Sequence, residues 1–182
     1  MKKFLLGLTA FLLAVNAWAQ IELPLNENDV LYFYVINGTT NVTLYQPDEH
    51  RNFSNTEIII PKDFYYGPDE KTYTVTAISN GAFSGSNITK ITIPNTVTKI
   101  DDYAFNYCYD LKSVTMSDQL QELGSYAFES CTSLESLNIP NTLQIIGSDV
   151  FSGCDMSKIC TVYNDAYYLG DGFLRAPSGS WM

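Results

Sequence analysis

The chain has 182 residues, 46% of them hydrophobic, 14% aromatic and 16% charged, with 10 Lys and Arg against 20 Asp and Glu. It is long enough for a sizeable core without metal or disulfide staples, and its apolar content is too high for a disordered chain. A formal net charge of -10 disfavours nucleic acid and anionic membrane surfaces as partners, and a single His leaves little material for the commonest acid–base and metal sites.

Residues 1–19 read as a secretory signal peptide: a positive start at Lys2-Lys3, an apolar run from Phe4 to Val15, and small residues at Ala17 and Ala19. Cleavage is expected between Ala19 and Gln20. The apolar run is shorter than the ~20 residues a membrane span needs. Its removal leaves eight basic residues against twenty acidic ones, a mature charge of about -12. No membrane span is expected after cleavage, and the product is expected outside the cell or at its surface.

Residues 20–66 read as an N-terminal β cap. Val30 to Ile36 is strand-like, Asn37-Gly38 is a strong turn signal, and Val42 to Tyr45 can return as a second strand. Ile58-Ile59-Ile60-Pro61 reads as half of a first repeat, lengthened through Tyr65-Tyr66-Gly67-Pro68. Such a cap would cover strand edges that otherwise recruit other chains.

Residues 67–162 carry a repeat. Ala82-Phe83, Ala104-Phe105, Ala127-Phe128 and the variant Val150-Phe151 recur at spacings of 22, 23 and 23 residues. Aligned on that dipeptide, Ile78, Ile100, Leu123 and Ile146 share a column, as do Val75, Val97, Leu120 and Leu143. Ser86, Cys108, Cys131 and Cys154 form another column. Short alternating segments follow at Ile91/Ile93, Val114/Met116, Leu137/Ile139 and, more weakly, Ile159/Thr161. A coil this short cannot bury its own apolar face, so coils are expected to stack, with each column a ladder through a shared core and the strands in parallel. The Ala-Phe segment is expected as one helical or 3₁₀ turn that drives Phe83, Phe105, Phe128 and Phe151 inward. Residues 163–182 contain no further Ala-Phe unit and read as a loose C-terminal tail or partial cap.

The run Ile91-Thr92-Ile93-Pro94-Asn95-Thr96-Val97-Thr98-Lys99-Ile100-Asp101-Asp102-Tyr103-Ala104-Phe105-Asn106-Tyr107-Cys108 resembles the BspA-type leucine-rich repeat of bacterial secreted and surface proteins. The resemblance extends over roughly residues 58–162. It implies a right-handed leucine-rich-repeat solenoid, a role in adhesion or protein contact, no cofactor, and no catalytic residues. Departures fall at Ser117 in place of Pro, at Ser86 in place of Cys, and in a shortened last coil.

The cysteine column reads as buried thiols. Disulfides within it, or between Cys154 and Cys160, stay open because export reaches an oxidising compartment. No metal-ligand spacing is present. His50 reads as a solvated loop residue. The acidic stretches at Asp69-Glu70, Asp101-Asp102 and Asn26-Glu27-Asn28-Asp29 read as solvated turns lacking the pattern of a calcium loop. The 13 tyrosines are more than the core needs. Tyr103 and Tyr126 share the column before Ala and are expected one above the other, with Tyr107 and Tyr109 nearby. Thr92, Thr115 and Asn138 are expected in a row on the concave sheet. These two surfaces are the candidate interaction sites. The expected partner is an extracellular protein of a host, matrix or neighbouring cell; a glycan or a scaffold role in a surface assembly is the alternative.

Overall fold

A computed structural model of the chain describes residues 20–36, 38–47 and 52–155, Lys158, and the backbone of three short C-terminal strands. The expected signal segment, Asn37, His50, Ile159, Cys160, Thr161 and the stretches 170–172 and 176–180 lie outside the described residues.

Strands β1 (Gln20–Pro24), β2 (Val30–Val35) and β3 (Asn41–Tyr45) open the fold as an antiparallel meander. Their period-two pattern buries Ile21, Leu31, Phe33, Val42 and Leu44. Strands β4 (Glu57–Ile59), β5 (Asp63–Tyr66) and β6 (Lys71–Ile78) follow. A 3₁₀ turn at Gly67–Asp69 joins β5 to β6 as an antiparallel hairpin, and Glu70 ends that turn in the left-handed region.

Each later repeat supplies two short strands: β7 (Lys90–Thr92) with β8 (Lys99–Ile100), β9 (Ser113–Thr115) with β10 (Glu122–Leu123), and β11 (Ser136–Leu137) with β12 (Ile145–Ile146). They build two parallel ladders rather than one. In an eight-stranded sheet the order is β1-β2-β3-β6-β8-β10-β12, with β5 added on β6. Ile78, Ile100, Leu123 and Ile146 are register partners along it. A second sheet runs β11-β9-β7-β4 and places Ile58, Ile91, Val114 and Leu137 in one row. The meander joins the first ladder because β3 pairs in parallel with β6, across a bulge between Val42 and Thr43.

The Ala-Phe segment directs its Phe inward as expected, but not through a helix. Two linked turns take its place. Amides donate to carbonyls three residues back, Ala82 to Ser79, Ser84 to Gly81 and Ser86 to Phe83, with no continuous run. Residues in the left-handed region bracket each Ala-Phe: Gly81 and Gly85, Tyr103 and Tyr107, Tyr126 and Ser130, Asp149 and Gly153. That geometry turns every second amide toward the next repeat. Phe83 donates to the Ala104 carbonyl at 2.7 Å, Phe105 to Ala127 at 2.8 Å and Phe128 to Val150 at 2.9 Å. A helix would have spent those donors internally.

The spacing between repeats dictates the core. Phe83, Phe105, Phe128 and Phe151 stack with centroids 5.2, 5.0 and 5.7 Å apart, close to the ~4.8 Å between paired strands. Phe53 lies against Phe83 at 6.0 Å and begins the column. Asn87 holds it there, donating to the Phe53 carbonyl and accepting from its amide. Close approach also selects glycine. A Cβ on Gly124 would come within 2.4 Å of the Asp102 amide nitrogen, and one on Gly147 within 2.2 Å of that of Ser125.

The acidic stretch at residues 26–29 is not a solvated turn throughout, because Asp29 is buried. Its carboxylate accepts from the Ser54 amide and hydroxyl at 2.7 and 2.6 Å, from the Asn55 amide at 3.0 Å and from Asn26 at 2.6 Å. It thus ties the β1–β2 connection to the segment entering β4. The C-terminal stretch, expected to be loose, contains three strands, β13 (Val162–Tyr163), β14 (Ala166–Leu169) and β15 (Phe173–Arg175), in an antiparallel sheet.

Burial alone would raise the pKa of Asp29, but the hydrogen bonds from Ser54, Asn26 and Asn55 override it and hold the group at about 2. A depressed folded pKa means that this stabilisation is present above the unfolded value near 4 and is lost as pH falls towards 2. Asp29→Ala should lower the unfolding free energy by about 2–3 kcal/mol at neutral pH. In denaturant titrations at several pH values, the gap between wild type and variant should close between about pH 4 and 2.

Candidate functional site

The turn side of the repeats carries three exposed tyrosines, Tyr103, Tyr107 and Tyr109, and the half-buried Tyr126; a further exposed tyrosine, Tyr65, lies on β5. Tyr103 and Tyr126 occupy successive left-handed corners, and their rings stack at 5.1 Å with an interplanar angle of 4°. Backbone bonds fix both bases: the Tyr103 amide donates to the Ser125 carbonyl and that of Tyr126 to Ser148, each at 2.9 Å. Tyr107 is at the next corner and forms a separate, tilted pair with Tyr109 at 6.0 Å. Tyr103, Tyr107 and Tyr109 are 39%, 42% and 55% exposed.

A left-handed conformation costs a side-chain-bearing residue about 1–2 kcal/mol, and glycine escapes the cost. The first repeat uses Gly81 and Gly85 at these corners, and the last uses Gly153. The middle repeats instead place tyrosine at three of four such positions. The sequence signal was available in those glycines, but columns read only for apolar residues do not expose it. Tyr126 is further defined by Asp149 in the same column, whose charge and hydrogen bond raise the tyrosine pKa.

Beside this pair, on the outer face of the first ladder, lies a groove of about 400 Å³. Its walls include Lys99, Asp101, Asp102, Glu122, Ser125 and Ile145, and Gly124 and Gly147 lie between them. Lys99 bridges Asp101 at 3.1 Å and Glu122 at 3.5 Å, and Asp101 foremost holds its ammonium above the usual pKa. Asp102 accepts from the Ser125 amide at 2.7 Å, so a groove residue supports the corner that precedes Tyr126. This groove is not legible in the sequence: its residues belong to four repeats, and only register brings them together.

The second candidate surface is flatter. Thr92 and Thr115 are register partners on β7 and β9, and Thr92 aligns with the exposed Ile59 of β4. Thr92 is half-buried, whereas Thr115 and Asn138 are exposed. These residues and the tyrosines are not brought into one site.

Cys108, Cys131 and Cys154 are thiols rather than disulfides, the first two buried. They donate to the Phe carbonyl of the preceding repeat: Cys108 to Phe83 at 2.9 Å, Cys131 to Phe105 at 3.2 Å and Cys154 to Phe128 at 3.0 Å. The hydrogen bond with Cys154, together with burial, pushes the Cys131 thiol well up, the opposite of an activated nucleophile. Ser86, in the same column, buries a hydroxyl without a partner among the described residues. Among the described residues, no group of three or more His, Cys, Asp or Glu is placed to hold a metal ion, and no helix is long and apolar enough to cross a membrane.

Inward and outward columns should respond oppositely to truncation. Phe105→Ala should lower the unfolding free energy by about 3–5 kcal/mol, since its ring is fully buried between two others. Tyr107→Gly should leave it unchanged or raise it by up to about 1 kcal/mol, because the corner loses its strain. Equilibrium denaturation of the two variants checks both.

The sequence matches the BspA type leucine rich repeat region in 6 copies over residues 70–175, extending past the expected end of the repeats at 162. No curated protein matches the chain. Among solved structures it is similar to a leucine-rich repeat protein from Bacteroides capillosus ATCC 29799, at 27% identity and TM-score 0.63, covering 72% of this chain and 93% of that one. A leucine-rich repeat protein from Bacteroides ovatus ATCC 8483 matches at 28% identity and TM-score 0.58, over 69% of this chain and 32% of the other. The T. pallidum leucine rich repeat protein shares the fold at 18% identity and TM-score 0.55, over 70% of this chain and 65% of that one. With its repeats matched over more than half its length, the chain belongs to the family of BspA-type leucine-rich repeat proteins.

Proposed function

We propose that this protein is a secreted or surface-attached, non-catalytic binding module that contacts other proteins through the tyrosine corners of its repeats. In this reading the repeats form a short right-handed solenoid, the N-terminal meander caps it, and the contact serves adhesion. Membership of a repeat family that serves as a protein-interaction module supports the general role.

One observation carries the choice of face: tyrosine at strained left-handed corners where neighbouring repeats use glycine. Strain of this kind persists where the exposed side chain is put to use. Tyrosine also brings large contact area at little entropic cost, which is why it is enriched at protein interfaces. A face of this size supports an interface of ~800 Å² per partner, so firm adhesion would draw on several copies.

The test is capture of proteins from host or neighbouring-cell surface extract on the immobilised protein, quantified for wild type and variants. Tyr103→Ala with Tyr126→Ala should reduce the captured partner by roughly tenfold or more, the loss of an aromatic hot spot. Soluble sugars should not compete. Capture unaffected by the double variant would contradict the proposal, and clear hits on a glycan array would favour the carbohydrate alternative.

A further inference from the structure

The groove and the tyrosine pair adjoin. Asp102 precedes Tyr103 and Ser125 precedes Tyr126, so two residues of the groove wall are the chain neighbours of the stacked pair. Charge on this surface is one-sided. Asp101, Asp102 and Glu122 line the groove, Asp149 takes the corner after Tyr126 in the next repeat, and the Glu129 amide donates to the Tyr126 carbonyl at 3.1 Å. Lys99 is the one basic residue in the groove lining, and it is shared between Asp101 and Glu122. The ion pairs found among the described residues leave Asp102, Glu129 and Asp149 without a cationic partner.

A parallel pair of rings, Tyr103 exposed and Tyr126 half-buried, beside carboxylates without a cationic partner is the arrangement that a planar cation satisfies twice. The ring faces attract it through their quadrupoles, and the carboxylates accept its paired N–H groups. A guanidinium fits both demands better than an ammonium, since it stacks on a ring while donating in its own plane. The open groove alongside gives room for the chain that carries it.

Building on the proposed role of the tyrosine face, we infer that its partner is a protein segment bearing arginine, with one guanidinium stacked on the Tyr103–Tyr126 pair and bound by Asp149 and Glu129. The neighbouring backbone of that segment lies in the groove between Asp102 and Glu122. The surface therefore selects basic, extended protein segments over neutral sugars.

Acetylated tetra-arginine is the probe, with its affinity for the purified protein measured by calorimetry or by chemical-shift titration. Tyr126→Leu and Asp149→Asn should each weaken binding roughly fivefold or more, whereas Tyr126→Phe, which keeps the ring, should retain it. Glu57→Gln, which removes one exposed carboxylate from the other sheet, should change nothing. Tetra-arginine failing to bind, or Glu57→Gln weakening it as much as Asp149→Asn, would overturn the inference by reducing the effect to diffuse charge. If the tyrosine variants lose protein capture but bind tetra-arginine as wild type does, the arginine chemistry is wrong and the interaction face stands; loss of neither overturns both.

Discussion

The structure depends on backbone hydrogen bonding between successive repeats, which sets one spacing for everything attached to it. Two parallel ladders and the bonded turns each join a repeat to the next, so residues 22 or 23 apart are held about one strand separation from one another. At that distance an aromatic ring meets its counterpart face to face. It also leaves no room for a side chain at Gly124 or Gly147. The core is accordingly a set of columns, and stability passes from neighbour to neighbour rather than from one central cluster.

The same bonding explains why core and surface are coupled at the turns. To send alternate amides to the next repeat, the chain enters the left-handed region on both sides of each Ala-Phe pair. Between those corners Phe is directed into the core, and at them Tyr103 and Tyr107 stand in solvent. The buried phenylalanine stack therefore anchors the corners that carry the exposed tyrosines, and it offsets the strain of placing large residues there. The groove has a similar origin, since glycine in successive repeats lowers its floor while Asp102 and Ser125 cap the amides of the following repeat.

Much of this was legible in the sequence because periodicity is written there directly. The Phe, Ile and Cys columns need only a correct repeat length, and Tyr103 and Tyr126 fall in one column for the same reason. Other features required knowledge of backbone geometry. Ala-Phe flanked by polar residues reads as a helical turn on composition, and only the glycines at 81, 85 and 153 hinted at left-handed corners. Asp29 looked like a solvated acidic turn because its donors, Ser54 and Asn55, lie more than twenty residues away. Segments such as Lys99-Ile100 and Glu122-Leu123 are two residues long, too short to show alternation, so the first ladder was visible as apolar columns and not as a sheet.

Native-state hydrogen exchange reads the inter-repeat bonds one amide at a time and so probes the bonding on which the structure depends. The amides of Tyr103, Phe105, Tyr126 and Phe128 should be protected as strongly as those of Asp101 and Gly124 in the adjacent ladder, although they lie in turns. Exchange of those turn amides at the rate of an open loop, with the ladder amides still protected, would contradict that bonding between repeats.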